Sequence, residues 1–127
     1  MGDRLRIALG AQAAYYVATG AVPFVSRRLF EAVTGPKREW WLVQTLGGVV
    51  CVVGAGLASA VARERVTPEI VGLAAGSAAV LGASDVWHVA RGRISPVYLL
   101  DAAAEAAILY AITSRPARSG RAGDPCR

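Results

Sequence analysis

The sequence predicts an all-α integral membrane protein: an antiparallel bundle of four transmembrane helices with a short interfacial helix in the first loop. Three observations carry that expectation. Of 127 residues, 54% are hydrophobic and only 18% charged, where a soluble domain averages about 25% charged, and the mean hydropathy is +0.41. The run 40–62 holds 23 residues without a charge, more than the roughly 20 that a helix needs to cross a bilayer. The charges cluster instead between apolar stretches, as membrane-flanking residues do. A soluble single-domain enzyme is thereby disfavoured. The net charge of +5 is spread over both termini and three loops, so nucleic acid is not an expected partner.

The first span is placed at 5–25, since no charge occurs from Ile7 through Ser26. A cleavable signal sequence is the competing reading, but Gln12, Tyr15, Tyr16 and Thr19 make a poor apolar signal core. Loop one interleaves Arg27, Arg28, Glu31, Lys37 and Arg38 with Phe24, Leu29, Phe30 and Val33. Those apolar side chains can share one helical face, which predicts a short helix lying on the membrane surface. Gly35-Pro36 breaks it, and Pro36 can open the next helix. Trp40 and Trp41 then mark the water boundary.

The second span, 40–62, ends before Arg63-Glu64-Arg65. The third, 68–90, starts at Thr67-Pro68-Glu69, an N-cap followed by a first-turn proline and acid. Ser95-Pro96 repeats the signal for the fourth span, 96–114. Residues 1–115 thus form the membrane domain and 116–127 a basic, polar tail expected to be disordered. Four spans with short connections place both termini on one side. That side carries eight Lys and Arg against six on the other, so the termini are expected to be cytoplasmic. The excess of Arg over Lys with abundant Ala, Gly and Val fits a GC-rich bacterial genome, hence a bacterial plasma (inner) membrane. Close packing is expected at Gly47, Gly48, Gly54 and Gly56 on the second span and at Gly72-x-x-x-Gly76 and Gly82 on the third, because small residues let membrane helices approach.

The costly polar groups are Asp85 and His88 on the third span and Asp101 and Glu105 on the fourth. Separations of three and four residues put each pair on one helical face. Counting about 1.5 Å of rise per residue, all four approach the loop-three end. Tyr98 joins them there, and Tyr16, Thr19 and Gln44 reach similar depths from the first two spans. A carboxylate at the depth of Glu105 costs on the order of 3 kcal/mol, which the apolar residues of the fourth span barely offset. That span is therefore expected to insert poorly alone.

Two readings follow. In one, Glu105, Asp101, Asp85, His88, Tyr98, Gln44, Tyr16 and Thr19 line a protonatable pocket for protons or a small solute. In the other they are structural ties between helices, with Arg91 or Arg93 neutralising the shallower acids. A metal held by His88 and the carboxylates ranks third, because the chain has a single His and lacks zinc spacing. Cys51, deep in an apolar run, reads as a small hydrophobe. No catalytic residue, cofactor or metal is assigned. The expected partners are the lipid bilayer and either a second copy of the chain or another membrane protein.

The stretch Thr34-Gly35-Pro36-Lys37-Arg38-Glu39-Trp40-Trp41-Leu42-Val43, running into a glycine-rich span, resembles segments of small bacterial four-helix membrane proteins of the DoxX-like group. The resemblance covers one loop and one helix. It implies a four-helix membrane fold and carries no activity or site residue with it.

Overall fold

The computed structural model describes residues 2–114; the tail 116–127 lies outside the described residues. Those residues form five α-helices and no strand: α1 (Asp3–Val25), α2 (Arg27–Thr34), α3 (Trp40–Ala62), α4 (Pro68–Ala90) and α5 (Tyr98–Thr113). Two of them, α3 and α4, are long and apolar enough to cross a membrane.

The helix starts follow local chemistry. Thr67 caps α4, its Oγ1 accepting from the Ile70 N–H at 3.3 Å, with Pro68 in the first turn and Glu69 beside it. Ser26 caps α2 in the same way, accepting from Leu29 N–H at 3.0 Å. α3 begins at Trp40, the expected start of the second span, with Pro36 lying ahead of it. One expected start is corrected. Pro96 does not open α5: Tyr98, Leu99 and Leu100 donate to the carbonyls of Ser95, Pro96 and Val97. This three-residue spacing makes a tight 3₁₀-like turn before the α-helix begins. The helix of the expected fourth span, α5, is thereby shortened to 16 residues, about 24 Å.

At their C-termini α3 and α4 close alike. Arg65 N–H donates to Ala60 O and Arg93 N–H to His88 O, with a left-handed residue just before each donor, Glu64 at φ 56° and Gly92 at φ 71°. Glycine takes that conformation freely, whereas Glu64 pays a steric cost.

The long helices associate mainly as α1 with α3 and α4 with α5, while α1 also packs on α5; α3 and α4 touch only sparingly. The α1–α3 seam runs backbone on backbone. A Cβ on Gly20 would lie 2.5 Å from Gly47 O, and one on Gly54 would lie 2.9 Å from Ala13 O. Glycine is therefore required at both places. The packing expected from Gly72-x-x-x-Gly76 does not occur among the described residues, since a Cβ at Gly56, Gly72 or Gly76 would meet none of their atoms within 4 Å. These three lie on surfaces away from the seams.

The apolar core gathers at one end. Ala8, Leu9 and Ala13 of α1 meet Leu57, Ala74 and Ile112, all in the halves of their helices nearest the N-terminus and the α3–α4 turn. Outside this core, burial is inverted relative to a water-soluble protein. Val52, Leu100 and Ile7 are about 70% exposed, with Val80 close behind, whereas Gln12, Glu105 and Asp85 are buried.

Candidate functional site

The opposite end of the helix array is hollow. A cavity of about 480 Å³ opens there, walled by residues from all five helices. Its carboxyl groups come from α4 and α5 and its phenols from α1 and α5. Because Asp101 and Glu105 are four apart, they occupy one face of α5. Tyr15 and Tyr16, neighbours on α1, reach one each. The Tyr15 hydroxyl donates to Asp101 Oδ1, and the Tyr16 hydroxyl donates to Glu105 Oε1 at 2.7 Å. Both tyrosines thus join α1 to α5.

Glu105 is 1% exposed. It sits so close to α4 that a Cβ on Gly82 would come within 3.2 Å of the Glu105 Cβ. Glycine at 82 is what makes room for the glutamate. One turn along α4, Asp85 stands in the wall of the same cavity, and its Oδ2 is buried with no hydrogen-bond partner among the described residues. Outside the cavity wall, buried Gln12 donates through Nε2 to Ala74 O at 3.0 Å, tying α1 to α4, and its Oε1 has no partner among the described residues.

The roof is α2. Leu29, Phe30, Val33 and Thr34 turn toward the cavity, and the charged face is latched from outside. Arg27 pairs with Glu31 at 3.2 Å, and Glu31 Oε2 also accepts the Lys37 N–H at 2.9 Å. That backbone hydrogen bond, aided by Arg27, holds the Glu31 carboxyl below its ordinary range. The Lys37 ammonium donates to Thr34 O at 2.8 Å and Gly35 O at 3.1 Å. It lies over the rings of Phe30 and Tyr98, 5.9 and 5.4 Å from their centroids, and burial lowers its pKa against the opposing pull of Glu31.

Of the eight residues expected to line a pocket, six stand in the wall: Tyr16, Thr19, Asp85, Tyr98, Asp101 and Glu105. Thr19 offers little chemistry there, since its hydroxyl is turned back onto Tyr15 O at 2.7 Å. His88 and Gln44 are not in the wall. The His88 Nδ1 is within hydrogen-bonding distance of Ser84 O, 2.9 Å, and Ser84 Oγ, 3.2 Å, which holds the ring against its own helix. The expected neutralisation by Arg91 or Arg93 is not observed. Arg91 stacks on Trp87 at 5.4 Å, and the sole ion pair among the described residues is Arg27–Glu31. Among the described residues no three His, Cys, Asp or Glu side chains are placed to hold a metal ion.

Sequence reasoning missed Tyr15 as a wall residue, Gln12 as a buried tie, and α2 as the roof. Tyr15 was legible in part. It is a polar aromatic in an apolar run, next to Tyr16 and one turn from Thr19, and the same register that selects Thr19 selects it. The chain matches no family model, no curated protein and no solved structure.

Proposed function

We propose that this chain is a small multi-pass membrane protein, a four-helix bundle with α2 along the surface, which couples protons to the movement of a small solute through the cavity. Its expected setting is a bacterial plasma membrane with both termini cytoplasmic, on the charge asymmetry and arginine bias noted above. The inverted burial supports a lipid-facing exterior: the exposed valines and leucines would be unfavourable in water and are at home among acyl chains.

One observation carries the functional reading. Asp85, Asp101 and Glu105 share a cavity in which no Lys, Arg or His among the described residues is a wall residue. Unpaired ionisable groups inside a membrane domain are expensive and mark proton or substrate paths. The groups that face the three carboxyls are Tyr15 and Tyr16 from α1 and Tyr98 from α5; α2 and α3 contribute no titratable wall residue. Proton traffic therefore falls to the carboxyls themselves, with the tyrosine hydroxyls as their hydrogen-bond donors.

The test is proton flux in liposomes carrying an internal pH dye. Wild-type protein is expected to dissipate an imposed pH gradient and Glu105→Gln to lose that activity. Equal rates for the two would overturn the reading. A second reading, an accessory subunit without transport, rests on the Tyr15–Asp101 and Tyr16–Glu105 bonds as pure helix ties. It predicts no flux from either protein and, because an amide oxygen accepts more weakly than a carboxylate, a loss of stability in Glu105→Gln.

A further inference from the structure

The geometry points to a specific class of solute for this cavity: a small organic ammonium with an apolar, preferably aromatic, body, bound through its N–H groups to Asp85. The inference rests on the cavity being a solute site, as proposed above, and goes on to say what the solute must be.

Electrostatics comes first. Among the described residues the wall contains three carboxyl groups and no basic side chain, so an anion would enter against like charge. The nearby Lys37 ammonium is already spent on the carbonyls of Thr34 and Gly35. Its seat over the Phe30 and Tyr98 rings shows that aromatic faces of this wall accept a cation, which is attracted to the ring quadrupole.

Hydrogen bonding then narrows the choice. Asp101 and Glu105 each receive a tyrosine hydroxyl. Asp85, 8% exposed, has a buried Oδ2 with no donor. A buried acceptor left unmade is costly, and a solute that supplies a donor removes the cost. Ammonium N–H supplies donor and charge together, giving the stronger charge-assisted bond. A quaternary cation supplies only the charge.

Shape sets the rest. A cavity of about 480 Å³ lies within the range of small-molecule sites, and the remaining walls are largely aliphatic and aromatic. A second groove of about 440 Å³, between α3 and α4, shares Tyr16, Leu46, Val50 and Leu81 with the cavity. Its walls are otherwise apolar or small. It gives an amphipathic amine a lateral approach from the acyl chains at the place where α3 and α4 barely touch.

The test compares four probes built on one phenylpropyl body on the purified full chain by calorimetry at pH 8: 3-phenylpropylamine, its N,N,N-trimethyl derivative, 3-phenylpropan-1-ol and 4-phenylbutanoate. The amine is expected to bind at least tenfold more tightly than the alcohol, the trimethyl form to fall between them, and the carboxylate to bind most weakly. Asp85→Asn should reduce amine affinity at least tenfold and Asp85→Glu should restore part of it. Monodispersity and melting temperature verify that each variant is folded, and Asp101→Asn, expected to weaken binding severalfold, replaces Asp85→Asn if that variant fails. Binding of the alcohol or carboxylate as tight as that of the amine would overturn the inference. So would affinity unchanged in Asp85→Asn, or no binding by any probe. Proton flux measured on the same preparation separates the two claims. Flux without amine binding defeats the solute class alone, whereas amine binding without flux defeats the transport reading and leaves the site standing.

Discussion

The two ends of the helix array are built on opposite principles. Toward the N-terminus and the α3–α4 turn, Leu9, Leu57, Ala74 and Ile112 close into a dry contact. Toward α2 and the α4–α5 turn, the same helices diverge around a cavity edged with carboxyls and phenols. Gln12 and Tyr16, both buried, mark the change from one to the other on α1. The difference teaches a division of labour, in which packing at one end fixes the helices so that the other can hold ionisable groups that add little to their association. The glycine contact of Gly20 on Gly47 lies at the hollow end and keeps α1 and α3 together there without filling the space.

The comparison can be broken most severely by Leu57→Ala, which removes a side chain with no exposure from the packed end. Truncation of a buried leucine leaves a cavity that costs on the order of 2–4 kcal/mol. A large fall in melting temperature in detergent is expected, whereas an unchanged value would mean that the dry end does not carry the fold. Next comes Tyr16→Phe, which keeps the ring and deletes the bond to Glu105. If the proposed membrane setting holds, the bond has the worth of one between membrane helices, about 0.6 kcal/mol on average and about 1.7 at most, and a drop of that size is expected in an unfolding titration. A loss matching that of Leu57→Ala would erase the distinction between the ends.

A sharper test comes from Gly72→Ala. With nothing within 4 Å of the added Cβ and a favourable helix propensity of alanine over glycine, about 1 kcal/mol at most, stability should hold or rise slightly. A clear destabilisation would show that Gly72-x-x-x-Gly76 is a contact surface after all, with a second copy as its partner. The smallest expected effect concerns the roof. Because the folded state holds the Glu31 carboxyl below its ordinary value of 4.5, the stability it gives is present above that value and lost as pH falls through the lowered one. Amide exchange at Gly35 and Lys37 should quicken in that acid window with the melting temperature scarcely changed. Exchange that is indifferent to pH after correction for its intrinsic rate would remove Glu31 as the latch.

Much of this was legible in the sequence, and for identifiable reasons. Thr67-Pro68-Glu69 specifies its own helix start through local hydrogen bonding, and the four-residue spacing of Asp101 and Glu105 fixes a shared face whatever surrounds it. The placement of the carboxyls toward the α4–α5 turn followed from counting rise per residue. What the sequence could not supply was which helices are neighbours. Without the close association of α1 with α5, nothing marks Tyr15 as the partner of Asp101, and without the separation of α3 from α4, Gly72 and Gly76 look like packing residues. His88 fails for a related reason. Its spacing from Asp85 was favourable, yet Ser84 one turn away offered a closer partner, and a histidine that reaches back along its own helix is lost to the interior.

The division of labour is tested most directly by the melting temperature of Glu105→Gln in detergent at neutral pH, set beside that of Leu57→Ala. Glutamine keeps the shape and can still accept from Tyr16, while the charge and the titratable proton are gone. The account predicts that Glu105→Gln melts at or above the wild-type temperature, because the carboxyl serves the cavity and not the fold. Destabilisation as large as that of Leu57→Ala would contradict it and make Glu105 a structural tie.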